Sequence, residues 1–320
     1  MTTRWGDIFA QSQTITLAAR EEALRWGHPE IDVEHLLLAL VAGDGAAGRL
    51  LRSRGITLDR ARSAVELTHE ATLSHLGISS PGVTPRTVHD PLTADVPWSA
   101  AGTRMLKDPG DGSSDLPILR ALLAEPTGFV VEVLARLDVT VGDLETAMDA
   151  AADSPDRTQG DRDPGWRSVT TSAFVPADPH RIWELVSDPR RRPEWDILVG
   201  SAVPVGDGRW QLGAAAVRPD GRRARVARRY RRSRLRLLDS VPGQAVEWET
   251  TWPDLRRPLA HRLRIDISAA EGGGRIELRL AMARPRGWRG ALHAGPAALQ
   301  RFVARHLLIA QGAGIARVLR

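Results

Sequence analysis

The chain has 320 residues, 42% of them hydrophobic and 26% charged, and it contains no cysteine. That composition is globular and long enough for two domains, and it excludes a disordered chain, a disulfide scaffold, a thiolate metal site and a cysteine nucleophile. The formal charge is +5, and Lys107 is the only lysine among 44 basic side chains. An arginine bias of that size beside abundant alanine and glycine has a bland origin in GC-rich coding.

The start, Met1-Thr2-Thr3-Arg4, leads into a charged amphipathic segment rather than an apolar signal core. No charge-free apolar run reaches the ~18 residues a membrane span needs. The expectation is a soluble, cytoplasmic protein with no membrane span.

Charge divides the chain. Residues 1–152 carry 13 basic and 21 acidic side chains, and residues 153–320 carry 31 and 18. Between the halves, residues 153–165 hold two prolines, two glycines and no apolar periodicity, which reads as a linker. Before it, apolar residues recur every three or four positions, as in helices; after it, short alternating runs mark strands. The opposite charges favour docking of one half on the other, and two unrelated domains on a tether fit equally well.

In the first half, Ile8, Ser12, Ile15, Ala19 and Ala23 share one helix face, and Gly27 supplies the stop. Asp32 is placed to cap a short helix through Val41 built on Leu36, Leu37 and Leu40. A third helix spans 46–54 and a fourth runs from Leu58 to about Glu70. Shifting the sequence by 83 residues lays Gly45–Leu51 over Gly128–Leu134 and Ile56-Thr57-Leu58 over Val139-Thr140-Val141. A duplicated four-helix unit accounts for this.

The phrase Gly27-His28-Pro29-Glu30-Ile31-Asp32-Val33-Glu34-His35-Leu36-Leu37-Leu38-Ala39-Leu40 closely resembles the signature of the Clp N-terminal domain. The match is strong in the first repeat and weaker in the second, where Leu116-Pro117 replace Glu34-His35 and the preceding helix is shortened. The resemblance implies a docking platform for peptides or protein partners of the Clp system, with Glu34 and His35 as docking candidates. Their bland role is to cap or cross-link backbone at the repeat junction. A Clp unfoldase also needs a Gly-x-x-x-x-Gly-Lys-Ser/Thr phosphate loop, and no glycine-rich run precedes Lys107. The chain carries the platform and not that ATPase.

In the second half, a strand over 168–175 ends at Pro176, and Asp178-Pro179-His180 opens a helix with Ile182, Trp183 and Val186 on its buried face. A turn and a short helix follow through Asp196. Strands are then expected over 197–205, 209–217, 222–229, 234–240, 244–251, 261–269 and 275–282, with turns at Asp207-Gly208, Asp220-Gly221, Pro242-Gly243 and Gly272-Gly273-Gly274. A long last helix after Pro296 sets Leu299, Phe302, Val303, His306, Ile309, Ala310 and Ala313 on one stripe. This order, with Val186-Ser187-Asp188-Pro189 and Pro193-Glu194-Trp195, resembles the START-like, polyketide-cyclase superfamily (SRPBCC).

The expected architecture is therefore two domains: an all-α duplicated four-helix repeat over 1–152 and, after the 153–165 linker, an α+β helix-grip domain over 166–320. Its curved antiparallel sheet and long C-terminal helix enclose an apolar space for a hydrophobic small molecule. Candidate cavity residues are Trp195, Trp210, Tyr230, Trp248, Trp252, Leu299, Phe302 and His306, with Phe302 and His306 opposite Trp248 and Trp252; plain core packing is the alternative for each. The run Arg222, Arg225, Arg228, Arg229, Arg231 and Arg232 makes a basic patch, to be read as a solvated face, a docking surface, or a grip on nucleic acid or headgroups. Only Tyr230 interleaves it, which disfavours nucleic acid.

No His-Glu-x-x-His run, Gly-x-Ser-x-Gly elbow or dinucleotide loop occurs, so no cofactor and no metal is expected. No catalytic residue is isolated by spacing. The favoured reading is a ligand-responsive adaptor or a decoy for partners of a Clp unfoldase. The alternative is a cyclase- or hydratase-like enzyme.

Overall fold

The computed structural model describes residues 2–78, 96–106, 114–152, 166–217, 223–255, 259–283 and 297–320. The expected linker and Arg222 lie outside the described residues, as do the side chains of Ile8 and Ser12. The chain divides into two units, Met1–Asp156 and Arg157–Arg320.

The first unit is helical: α1 (Thr2–Trp26), α2 (Val33–Ala42), α3 (Ala46–Ser53), α4 (Leu58–His75), α5 (Ala100–Met105), α6 (Leu116–Leu123), α7 (Phe129–Ala135) and α8 (Val141–Ala152). Ile15, Ala19 and Ala23 are buried as expected, and Gly27 leaves α1 in the left-handed region at φ 70°. Every residue of α2 is buried, which makes it the axis of the unit. Its ends are tied to the rest by polar side chains. Asp32 Oδ1 accepts the Val33 N–H at 2.9 Å and the Ser99 hydroxyl at 2.7 Å, while Ser99 Oγ accepts the Gly102 N–H at 2.9 Å and caps α5. One carboxylate thus joins the starts of helices from both repeats. At the other end of α2, the buried Arg52 guanidinium donates to the Val41 and Gly43 carbonyls at 2.6 and 2.7 Å. Asp115 reaches from the second repeat to accept the Ala47 N–H at the start of α3. Burial raises its carboxyl pKa against that hydrogen bond.

The second unit contains β1 (Trp166–Val175), α9 (Pro179–Ser187), α10 (Arg192–Trp195), β2 (Val199–Pro204), β3 (Arg209–Ala214), β4 (Arg232–Val241), β5 (Ala245–Thr251), β6 (Ala260–Ala270), β7 (Gly273–Ala283) and α11 (Ala297–Leu319). The strands form one antiparallel sheet in the order β1-β7-β6-β5-β4-β3-β2, with bulges in β2 and β4. Asp178 caps α9 through the His180 N–H at 2.8 Å, with Pro179 in the first turn. Ile182, Leu185 and Val186 form its buried face; Trp183 is only half-buried.

Two expectations need correction. Among the described residues, 223–229 form no strand where one was expected over 222–229: β3 pairs directly with β4, so there is no free edge between them for another strand to enter. In the described part of the intervening chain Val217 bridges Arg223, and a 3₁₀ turn follows at Arg228–Tyr230. The helix α11 also presents a different face. Leu299, Phe302 and Val303 are exposed, whereas Ala304, Leu308, Gln311, Ile315 and Ala316 are buried. Apolar residues surround this helix almost completely, so periodicity does not choose its face. Close approach does: a Cβ on Gly312 would stand 3.0 Å from the Ala173 Cβ of β1, and one on Gly314 would strike the Trp195 carbonyl. By length and composition Leu299–Leu319 is apolar enough to cross a membrane, and its buried face lies against the sheet.

Candidate functional site

In the first unit, the loop after α1, the first turn of α2 and the middle of α4 bring three histidines around one carboxylate. The His35 Nδ1 accepts the Asp32 N–H at 2.9 Å and closes the capping box of α2. That bond leaves the proton on Nε2, which donates to His28 Nδ1 at 2.8 Å. Glu34 Oε1 lies 3.9 Å from His28 Nδ1 and 3.7 Å from His69 Nε2. Beside this chain opens a cavity of about 240 Å³. Its walls are apolar at Trp26, Leu38, Val65 and Leu73 and acidic at Glu34, Glu66 and Glu70.

Burial alone pushes the Glu34 carboxyl up, but the His69 and His35 imidazoles outweigh it and leave its pKa below the ordinary value. Burial lowers the His28 pKa and holds the His35 imidazole down at about 4, against the pull of Glu34. At neutral pH Glu34 is therefore charged and the buried imidazole of His35 neutral. One ligand atom each from His28, Glu34 and His35 fall within 4.8 Å of one another, the spacing of a metal site. Both His35 nitrogens are already committed to hydrogen bonds with the Asp32 N–H and His28.

His35 also sets a pH limit. Its folded-state pKa of about 4 lies below the ordinary 6.5, so the unfolded chain takes up the proton first as pH falls. Stability present above pH 6.5 is lost between 6.5 and 4, by up to ~3 kcal/mol. Urea melts across that range should show the loss, and His35→Gln should flatten it.

In the second unit the concave face of the sheet meets α11. Alternation from the buried Leu263, Ile265 and Ile267 places His261 on this face, with Thr250 and Met282 as its cross-strand partners. Trp252 stands edge-on to the His261 ring, centroids 4.8 Å apart. Burial lowers the His261 pKa to about 4, so it presents a neutral imidazole between Thr250, Met282 and Trp252. At the same end Arg167 Nη1 meets Gln300 Oε1 of α11 at 3.4 Å.

The structure distributes the expected cavity residues. Trp195 is fully buried in the core under the Arg192 guanidinium, 4.7 Å from the ring centroid. Trp248 is buried too, and its Nε1–H donates to the Val186 carbonyl of α9 at 3.1 Å rather than facing α11. Trp210 packs on the core half-buried, and Trp252 is half-buried beside His261. Leu299 and Phe302 are exposed; His306 stacks on Phe302 at 4.0 Å and donates from Nδ1 to the Phe302 carbonyl at 2.9 Å. Tyr230 is exposed beneath Arg229, outside the concave face. Of the basic run, Arg225, Arg228, Arg229, Arg231 and Arg232 are all exposed. Glu34 and His35 meet as described. Their companions His69, Glu66 and Glu70 carry no local sequence signal, since α4 lies more than thirty residues away, and His261 sits unmarked within an ordinary strand.

Two family models match the chain, one in each unit. Residues 10–89 match the Clp repeat (R) N-terminal domain, and residues 167–308 match the family described as polyketide cyclase / dehydrase and lipid transport. The second unit has the START-like fold, an antiparallel seven-stranded sheet with a long C-terminal helix.

Among curated proteins the chain is similar to the "ATP-dependent Clp protease ATP-binding subunit ClpC" of Staphylococcus aureus (strain USA300), 29% identical over 153 residues, covering 48% of this chain and 18% of that protein. It is also similar to the "Negative regulator of genetic competence ClpC/MecB" of Bacillus subtilis (strain 168), 38% identical over 63 residues, covering 19% of this chain and 8% of that protein. The chain thus spans only a small part of the curated relatives it matches. Among solved structures it is similar to a START superfamily protein from Mycobacterium smegmatis, with 11% identity, TM-score 0.34, and 48% of this chain and 96% of that one covered. The di-domain ARO/CYC StfQ from the steffimycin biosynthetic pathway aligns with 16% identity, TM-score 0.35 and 58% of each chain.

Proposed function

We propose that the protein is a two-module binding protein without ATPase activity. In this reading the Clp-type unit docks a peptide or protein partner of the Clp system, and the START-like unit holds a hydrophobic small molecule. The supporting observation is the cavity beside Glu34, whose wall joins the apolar Trp26, Leu38, Val65 and Leu73 to the carboxylates of Glu34, Glu66 and Glu70. Such a wall suits a segment that offers a basic side chain next to an aliphatic one, because a guanidinium finds carboxylate acceptors there while its stem covers Leu38 and Leu73.

The test is fluorescence anisotropy of the whole chain with a labelled arginine-containing peptide and its citrulline analogue. The arginine peptide should bind at least tenfold tighter, and Glu34→Gln with Glu70→Gln should erase the difference, since one charge-assisted hydrogen bond contributes ~1.5–3 kcal/mol. Equal binding of both peptides would remove the docking reading. Native mass spectrometry of the purified chain tests the other unit: a retained small apolar ligand supports it, and a bare mass across preparations counts against it.

One observation favours the enzymatic alternative, a cyclase- or hydratase-like activity. A buried neutral imidazole beside Trp252 and Met282, His261, is suited to proton transfer or to orienting a carbonyl. His261→Gln separates the two: loss of turnover with ligand retained marks catalysis, and unchanged behaviour marks a packing role.

A further inference from the structure

The arginines around β3 and β4 have no place in either binding reading. Alternation in β3 and β4 sends Leu212, Ser233 and Leu235 into the core and Arg209, Gln211, Arg232, Arg234 and Arg236 to the outer face. Cross-strand pairing sets Arg209 against Arg236 and Gln211 against Arg234. Two like charges directly opposite each other destabilise a sheet, so this arrangement is kept at a cost. Beyond the end of β3, Arg223, Arg225, Arg228, Arg229 and Arg231 continue the same cationic run, all exposed.

The charges are poorly matched from within. Arg232 meets Asp254 at 3.2 Å and Arg236 meets Glu249 at 2.7 Å. Asp239 and Glu247 lie within reach of Arg264. Among the described residues, Arg209, Arg223, Arg225, Arg228 and Arg234 face no carboxylate.

The same outer face is also apolar at its edge. The inward Ala202 of β2 sets Val203 outward, paired with Gln211, and Val205 N–H bonds the Arg209 carbonyl at 2.9 Å. Val203 is 54% exposed and Val205 53%, and Leu198 and Val217 at the far end of β3 are exposed as well. Lone surface valines are unremarkable; aliphatic side chains that border a row of unmatched arginines have a specific use. They enter the acyl boundary while guanidinium groups hold phosphates above it. Nucleic acid would use the arginines but leave the aliphatic rim unexplained, and among the described residues of the run Tyr230 is the one exposed aromatic ring.

We infer that the outer face of β2–β4 is a docking surface for an anionic lipid bilayer. Binding is peripheral: Arg209, Arg232, Arg234 and Arg236 contact headgroup phosphates, and Val203 and Val205 dip between them.

The test is co-sedimentation of the full chain with vesicles of phosphatidylcholine alone, or with about 30% phosphatidylglycerol, at low and moderate salt. The protein should pellet with the anionic vesicles only, and binding should fall steeply as salt rises. The triple variant Arg232→Gln, Arg234→Gln, Arg236→Gln should weaken partitioning about a hundredfold, at roughly fivefold per charge. Removal of three exposed arginines elsewhere, Arg54, Arg181 and Arg190, should change it far less. Val203→Asp with Val205→Asp should weaken it at constant arginine content. Equal partitioning onto neutral and anionic vesicles would overturn the inference. So would an unaffected triple variant, equal losses in both arginine triples, or tighter binding to duplex DNA than to anionic vesicles with the valine variants unaffected.

Discussion

Asp196→Ala should destabilise the C-terminal unit by about 3–5 kcal/mol, the cost of leaving one member of a buried ion pair alone. Asp196 is 4% exposed and serves three donors at once. Its Oδ2 accepts from Arg192 Nε at 3.2 Å and from Gln311 Nε2 at 3.0 Å, and its Oδ1 from the Leu198 N–H at 3.2 Å. These partners come from α10, from α11 and from the entrance to β2, so the carboxylate is where the closing helix is fastened to the sheet. Arg192 is itself 5% exposed, and without Asp196 its charge has no route to water. Urea denaturation should show the loss, and hydrogen exchange should place it in residues 166–320. The paired variant Asp196→Leu, Arg192→Met should recover much of it, because a well-packed apolar replacement of a buried pair is often neutral. A loss below about 1 kcal/mol would mean that water reaches the site.

Arg52→Met should cost the helical unit about 3–4 kcal/mol through a different mechanism. The guanidinium is 3% exposed and donates to two carbonyls at the C-terminal end of α2, a helix with no exposed face. The end of a helix leaves carbonyls without partners, and its dipole favours a cation there. Methionine fills the volume and supplies no donor, so the loss measures hydrogen bonding and charge rather than packing. Arg52→Lys should restore part of the loss: a single nitrogen, Nη1, donates to both carbonyls, and an ammonium keeps the charge but lacks the second terminal nitrogen that lies 3.9 Å from Asp44. Thermal melts and exchange at the amides of α2 would measure both variants.

Where structure was legible in the sequence, the signal was local and chemical. Asp32 and Asp178 with Pro179 announced helix starts that the structure caps through their own carboxylates. Gly27 announced a stop. The paired Clp-type repeat and the helix-grip order were both readable, because period, turn residues and short phrases lie within a few residues of one another. The face of α11 was not readable: its choice rests on Gly312 and Gly314 admitting β1 and Trp195, contacts between residues more than a hundred positions apart. Arg-x-Arg alternation over 222–229 imitates a strand, but strand formation there also requires an unoccupied neighbour, and β4 already fills that side of β3. For the acidic cavity, Glu34 and His35 stood out through their phrase, whereas His69 and Glu70 join them only once α4 has crossed α2.

The sheet order has a consequence for synthesis. β1 and β2 follow one another along the chain yet form opposite margins of the layer, so β2 through β7 can zip up hairpin by hairpin as they emerge. β1 has to wait: Trp166 finds its neighbour only when Ala283 arrives. Until then the nascent chain carries a solitary ribbon with both flanks unmet, and the interval before β7 leaves the ribosome is when this protein is most exposed to misassembly.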